Sequence, residues 1–595
     1  MRIWYNDFID KNRHDLFLST RALSSTDINE ETKSEIYVTL DGYIENKEQL
    51  CSELQIDKNE AIVSVIISLY ETYGEQGFYK LVGGFSLILI DKAQQHSFLY
   101  RSFLTGFPLY YVAKNNLLSV AANPVNLLHR EDVSDTLNKE QISALFDLRT
   151  EAWADTVFSD LNEVEHGELV MVSPEGIRSI KRPLTDILPK LSYGSEAEII
   201  KKYRQLVDSA IAKHILPNKK YGIMLSSGMD SSTLAVLASR QLEKRGEKLI
   251  AYSWSLPNYP MADETKKIKA LCMALDIELT IVNVEHLDPF SNLDHLPLTP
   301  EFPFPNLYSA MISKIYEQAS EDGVDILFNG HYGDELFPST ATLFSDILKD
   351  KRYELLIPTL KSIIEKVGYK NVFKSPAIRG LIKHLIPFYK VRKPVFRVSA
   401  WLSDDAKEVR RVAWEKEIEK REEGYEVFAS ALSKSNTSSG ITRYITEQYG
   451  IERIEPYRDV ALLNYTLKLP AYMAYRDGQL KYFAREAMRG LLPESIRTQA
   501  RVGILSQFAE DSFLRNTQAV EERLFSEVES WNVYVDEKWM IEKFKNPSQI
   551  KGKDILLVWM CLHIGAWTKA IKPGGSLYEN TYKKTLFKKY NYDRI

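Results

Sequence analysis

The segment Tyr221-Gly-Ile-Met-Leu-Ser-Ser-Gly-Met-Asp-Ser-Ser-Thr233 constrains the fold more than any other part of this chain. An apolar run enters a turn of small residues and passes directly into a helix, the unit from which parallel α/β sheets are assembled. The alternation continues downstream. Ser231–Lys244 reads as a helix, Lys248–Leu256 as a strand and Asp263–Leu275 as a helix. Glu278–Val284 is a strand, Leu307–Glu321 a helix and Val324–Asn329 a strand. From about residue 195 the pattern therefore predicts a parallel sheet with helices on both faces. Beyond about 340 the chain reads as mainly helical to Leu562, with a proline break at Lys393–Phe396 and a polar loop at Ser433–Gly440.

The first half reads differently. Short β-like runs at Glu35–Leu40, Phe85–Asp91, His96–Arg101, Pro108–Val112, Leu117–Ala122 and Glu168–Val172, with a helix over Glu60–Tyr73 ending at Gly74, predict an α+β domain on antiparallel strands. Arg178–Ser195, with two prolines and a Tyr-Gly-Ser turn, is the expected linker. The expected division is a domain over 1–190 and a second over 195–595, in keeping with a length of 595 residues.

Composition excludes several classes. The net charge of −5 lacks the basic excess of a general nucleic-acid or membrane-surface binder, so neither partner is expected. Three cysteines, Cys51, Cys272 and Cys561, are too few for a disulfide framework and too far apart for a CxxC site. The longest apolar stretches, such as Ala61–Tyr70 and Ile555–Ile564, are about half the roughly 20 residues that cross a bilayer. No apolar signal region follows the first residues, and a cytoplasmic location is expected. The basic tail Lys583–Arg594 reads as a solvated end.

Chemistry concentrates in two segments. In the first, backbone N–H groups of the turn and helix start converge beyond the strand, which makes a phosphate cradle. Ser226, Ser227, Ser231 and Ser232 add hydroxyls, Gly228 permits close approach, and Asp230 stands where it can hold a magnesium ion. The plain alternative is an ordinary turn with Asp and Ser as N-caps. No Gly-Lys-Ser/Thr follows, so this is not a Walker loop. In the second, Ile326-Leu-Phe-Asn-Gly-His-Tyr-Gly-Asp-Glu-Leu-Phe337, another strand ends in a glycine-punctuated loop. Parallel strands share one C-terminal edge, which lets Asp334 and Glu335 face Asp230 across a crevice.

Together these segments resemble the pyrophosphate-loop synthetase domain of the asparagine synthetase family. That family's SGGxDSS and GxGxDE stand here as Ser226-Ser-Gly-Met-Asp-Ser-Ser232 and Gly330-His-Tyr-Gly-Asp-Glu335. Gly450-Ile-Glu-Arg-Ile-Glu-Pro-Tyr-Arg-Asp459 is similar to its GxExRxPFxD, Lys481-Tyr-Phe-Ala-Arg-Glu486 to its KxxxRE, and Leu492-Pro-Glu-Ser495 to its LPxS. In the first half, Leu40-Asp-Gly-Tyr-Ile-Glu-Asn46, Leu81-Val-Gly-Gly-Phe-Ser86 and Arg101–Tyr111 resemble its glutaminase domain. The resemblance implies an Ntn-type glutaminase-like α+β domain followed by an adenine-nucleotide α-hydrolase-like α/β synthetase domain with a helical C-terminal part. It implies ATP and Mg2+, with nucleotide contacts from Leu225, Ser226, Ser227, Gly228, Asp230, Ser231, Ser232, Ser253 and Gly330 and metal contacts from Asp230 and Asp334.

The departures narrow the reading. A glutaminase of this type uses an N-terminal cysteine, whereas the sequence opens Met1-Arg2, so this half is expected to be inactive. Within the family, β-lactam synthetases and lasso-peptide cyclases lack that cysteine and attack the activated carboxylate with an amine of the substrate itself. The second GxGxDE position, an acid in ammonia-using members, is His331, a residue suited to taking a proton from an attacking amine; a structural hydrogen bond is its alternative. Glu452 or Glu447 is the expected carboxylate partner. The family lysine after LPxS corresponds to Arg501, with Arg497 as a competitor.

The expected activity is therefore AMP-forming amide ligation, foremost macrolactam closure as in a lasso-peptide cyclase. A leader-peptide-binding protein and a leader protease are partners this branch would bring. Small-molecule lactam formation and ammonia-dependent asparagine synthesis are the alternatives.

Overall fold

The computed structural model describes residues 2–3, 35–103, 106–115, 117–148, 156–181, 194–338, 340–385, 396–419, 444–446, 448–499 and 503–579. The expected proline break, the polar loop and the basic tail fall wholly or mostly outside them, as does the middle of the expected linker. Residues 178–181 belong to a strand and Ser195 caps a helix.

Two sheets build the first half. Strands β2 (Ile36–Ile44), β3 (Gly83–Asp91), β4 (His96–Arg101), β8 (Glu168–Ser173) and β9 (Gly176–Lys181) form an antiparallel sheet in the order β2-β3-β4-β8-β9. Strands β1 (Arg2–Ile3), β6 (Leu117–Ala121), β5 (Tyr110–Lys114) and β7 (Asn162–Glu163) form a second sheet, with β1 parallel to β6. Strand β3 reads Gly-Gly-Phe-Ser-Leu-Ile-Leu-Ile-Asp because both its faces are covered. Leu87 and Leu89 pack under the helices Lys47–Leu54 and Ile62–Tyr73, while Ile88 and Ile90 meet Leu118, Val120 and Val170 between the sheets. A strand buried on both sides loses the polar alternation of a half-exposed one.

The second half holds a five-stranded parallel sheet of β10 (Tyr221–Met224), β11 (Leu249–Ser255), β12 (Glu278–Asn283), β13 (Ile326–Phe328) and β14 (Glu452–Ile454), in the order β12-β11-β10-β13-β14. Helices Met229–Glu243, Thr265–Leu275 and Ser309–Glu321 make the crossovers. Chain order reverses between β10 and β13, so the loops leaving these neighbours open a crevice at their C-terminal ends. The remaining hairpin pairs β15 (Tyr475–Arg476) with β16 (Gln479–Leu480).

The two halves share a core. Tyr110, Val125, Ile142 and Phe146 of the first half pack with Phe304, Phe513, Trp531, Trp559 and Trp567 of the second. Trp401 donates its indole N–H to the carbonyl of Phe146 at 2.8 Å. Lys213 joins the halves again, bridging Glu45 at 2.6 Å and Asp459.

Candidate active site

The turn after β10 is held from inside and behind. Ser226 and Ser231 hydroxyls lie 3.0 Å apart, and the Gly228 N–H donates to Ser226 Oγ at 3.2 Å. Ser227 faces away from the cleft. Its hydroxyl and N–H donate to Glu264 at 2.6 and 3.1 Å, Gln499 donates to both its oxygens at 3.0 Å, and the Gly503 N–H donates to Glu264 at 2.8 Å. Helix Met229–Glu243 starts at Gly228 with no side-chain cap, so its first-turn N–H groups are not claimed by a capping residue. Ser226, Gly228, Asp230 and Ser231 line the cleft. Ser232 is fully buried, and its hydroxyl has no hydrogen-bond partner among the described residues. Two of the four serines therefore face the ligand side and two belong to the scaffold.

The loop after β13 is pressed against this helix start. A Cβ on Gly330 would lie 2.9 Å from the Ser231 nitrogen, and one on Gly333 would lie 2.4 Å from Asp230 Cγ. Glycine at both positions brings Asp334 beside Asp230. Between the two carboxylates stands Lys481, whose Nζ lies 2.5 Å from Asp230 and 2.6 Å from Asp334. Lys481 takes the left-handed region, with φ 62°, at the start of helix Tyr482–Ala487. Burial raises the Asp230 pKa; Lys481 opposes that shift, while Asp334 and Glu335 add to it. Among the described residues no three His, Cys, Asp or Glu side chains converge on one point. The chain thus offers a cation two carboxylates and leaves its other positions to phosphate oxygens and water, which suits magnesium.

His331 stands beside this centre rather than in the lining of the cleft. Its ring is half exposed, packs edge-on to Tyr332, and places Nδ1 3.4 Å from Glu455. Burial alone would raise the Glu455 pKa, but Arg453 and Arg458 outweigh it and hold this carboxyl well below the usual range. Arg458 also stacks on Tyr332, 4.0 Å from its centroid.

Glu452, the expected partner of His331, lies elsewhere. It opens β14 in register with Ile326, at the sheet end opposite the loops, and parallel pairing fixes that placement. Glu455, three residues on and just past the strand, meets the imidazole instead. Glu447 and Arg501 lie outside the described residues. Arg497 is engaged by Glu486 and Glu494 at 2.8 and 2.7 Å and does not line the cleft.

The cleft encloses about 870 Å³. Leu225, Ser253 and Trp254 form one end beside the turn, where the expected contacts Leu225, Ser253 and Gly330 all lie. The other end is walled by Ser362, Glu365 and Lys366 of helix Leu356–Val367 and by Asp477–Lys481. Lys481 and Arg485 supply positive charge that sequence reasoning left without a role, although both stand in the Lys481–Glu486 motif. Nothing local in that motif signals that the lysine reaches both carboxylates.

Fold and cleft define a two-domain α/β protein in which an anion-receiving turn faces paired carboxylates. Residues 202–569 match the family described as asparagine synthase, and residues 17–182 match one described as a glutamine amidotransferase domain. The first match takes in more than half of the sequence, and the chain belongs to the asparagine synthase family. Membership carries ATP-dependent formation of an amide bond. The chain is similar to asparagine synthetase [glutamine-hydrolyzing] 1 of Bacillus subtilis (strain 168), at 20% identity over 552 residues, 88% of this chain and 83% of that relative. It is also similar to amidase chyE of Penicillium rubens, at 24% over 322 residues, 51% of this chain and 46% of that relative. Among solved structures, the glutamine phosphoribosylpyrophosphate amidotransferase of B. subtilis aligns over 50% of this chain and 71% of its own, at 12% identity and a TM-score of 0.19.

Proposed function

We propose that this protein adenylates a substrate carboxylate with ATP and joins it to an amine of the same substrate, closing a macrolactam in a peptide. The observation that carries the ligase part is the meeting of Asp230, Lys481 and Asp334 at the mouth of the Ser226–Ser231 turn. The turn and the helix N-terminus receive the pyrophosphate portion of ATP, and Lys481 and Arg485 counter the charge that grows as the carboxylate attacks the α-phosphorus. Magnesium held by Asp230 and Asp334 would neutralise phosphate charge. Pyrophosphate leaves, and an acyl-adenylate remains. The amine attacks its carbonyl carbon, AMP departs, and His331 takes the amine's proton while Glu455 orients and balances the imidazolium.

An internal amine is supported by His331 and by the burial of all three cysteines. Asparagine synthesis from free ammonia is the second reading, favoured by the likeness to the B. subtilis synthetase along most of both chains. A small-molecule lactam is the third.

Carboxylate-dependent ATP–pyrophosphate exchange tests the ligase. It is expected in the wild type and absent in Asp230→Asn; full exchange in that variant would sink the assignment. Mass spectrometry of products formed with peptides, aspartate plus ammonia, or β-amino acids then separates the three readings.

A further inference from the structure

The loop Gly330-His331-Tyr332-Gly333 assigns its glycines to one task and leaves another to a bulky residue. Neither glycine adopts the left-handed region; both are there for room, since a Cβ on Gly330 or Gly333 would strike Ser231 or Asp230. The left-handed conformation falls instead on Tyr332, at φ 68°, where a side chain of this size is an outlier. This is also the position that the pattern GxGxDE gives to glycine. Such a conformation persists only where the surroundings over-determine it, and residues of this kind cluster at working sites.

The surroundings are a closed ring of four side chains. Tyr332 is 3% exposed; the Arg458 guanidinium lies 4.0 Å from its ring centroid, and the His331 imidazole meets it edge-on at 4.7 Å. Arg458 pairs with Glu455, and Glu455 lies 3.4 Å from His331 Nδ1, which brings the contacts back to their start. The backbone adds two ties. The His331 N–H donates to Asn329 Oδ1 at 2.8 Å, and the Glu335 N–H donates to the Tyr332 carbonyl at 3.2 Å. The imidazole itself is half exposed, so a buried ring at its side limits the rotamers it would otherwise sample in water.

We infer that Tyr332 is a positioning residue for amide formation. Its ring fixes the imidazole of His331 against Glu455, in the orientation that takes the amine's proton, and the left-handed backbone is what placing a ring there costs. This deepens the ligase reading above and rests on it. Tyr332 does not line the cleft, and adenylation runs through Asp230, Asp334 and Lys481 instead. Glycine reaches the same φ freely, so Tyr332→Gly removes the ring and keeps the path of the loop to Asp334.

The test follows the full chain with ATP, magnesium and whichever carboxylate, in a peptide, aspartate or a β-amino acid, supports pyrophosphate exchange. Three rates are read: exchange, formation of the amide with the substrate's own amine or with ammonia, and formation of the hydroxamate with hydroxylamine. Hydroxylamine is unprotonated at neutral pH and leaves a base no ammonium proton to remove before attack. Tyr332→Gly is expected to slow amide formation at least about tenfold and to leave exchange and hydroxamate within about threefold of wild type. Tyr332→Leu keeps the core filled, should behave like the glycine variant and replaces it if that one melts early; Tyr332→Phe should match wild type. With Glu455→Gln in place, Tyr332→Gly should slow the amide less than about twofold further, because both act on one imidazole. Equal loss of all three rates, a wild-type amide rate in folded Tyr332→Gly or Tyr332→Leu, failure of phenylalanine to restore it, or effects that multiply with Glu455→Gln overturn the inference and leave the ligase reading standing. Absence of exchange in the wild type with every one of these carboxylates removes the ligase reading, and this inference with it.

Discussion

At the scale of single residues, Lys481 is shared between two carboxylates, and its loss leaves the buried Asp230 beside Asp334 and Glu335 without the cation that bonds it directly. Lys481→Met is expected to lower ATP–pyrophosphate exchange by about 100-fold or more with little change in Tm, measured side by side with Lys481→Arg, which keeps the charge. Gly333→Ala tests geometry rather than charge. Its methyl would lie 2.4 Å from Asp230 Cγ, so exchange should fall while the distant Trp559 core is untouched. Glu455→Gln removes the carboxylate facing His331, and the acidic limb of the amide-forming rate should move; a pH–rate profile identical to wild type would detach His331 from proton transfer. Asp230, Asp334 and Gly330 were legible because each sits at a fixed offset in a strand–loop motif. Lys481, Arg485 and Glu455 were not, since their roles depend on segments more than a hundred residues away folding back onto that loop.

At the scale of elements, the strand–turn–helix unit was legible to within two residues of its boundaries, because an apolar run and a small-residue turn leave few other folds. The helix Ile62–Tyr73 was equally plain, ending at Gly74. Strand β14 was hidden. Three residues, Glu452–Ile454, carry no periodicity, and only pairing with Ile326–Phe328 makes them a strand. The serines misled for a related reason: four hydroxyls look equivalent in sequence, but the helix turns Ser232 into the core and the Glu264–Gln499 pair draws Ser227 away. Glu264 ties the turn at Ser227 to Gly503, so Glu264→Ala should raise the KM for ATP by roughly tenfold while Asp230 and Lys481 keep kcat within a fewfold of wild type, as read by steady-state kinetics.

At the scale of the whole molecule, buried histidines contribute to acid stability, His166 among them. Burial lowers both His214, at the seam between the halves, and His563, in the C-terminal helix, to about 4. Unfolded, each takes a proton near pH 6.5, so between pH 6.5 and 4 the unfolded chain binds protons that the folded chain refuses. Stability from these groups is full above pH 6.5 and falls as pH drops, by roughly 2 kcal/mol for each histidine at pH 5. Melting curves from pH 7.5 to 5 should show a declining Tm, and His214→Phe should flatten the decline. The alternation of strands and helices made the two architectures readable, but the core they share was not, because apolar residues near 125–146 and 513–567 are ordinary core residues until packing joins them. That shared core has a consequence for truncation: a chain cut off from its first half would leave Phe304, Phe513, Trp531, Trp559 and Trp567 facing water where Tyr110, Val125, Ile142 and Phe146 now cover them, so the halves stay together by solvent exposure whatever chemistry the first one does.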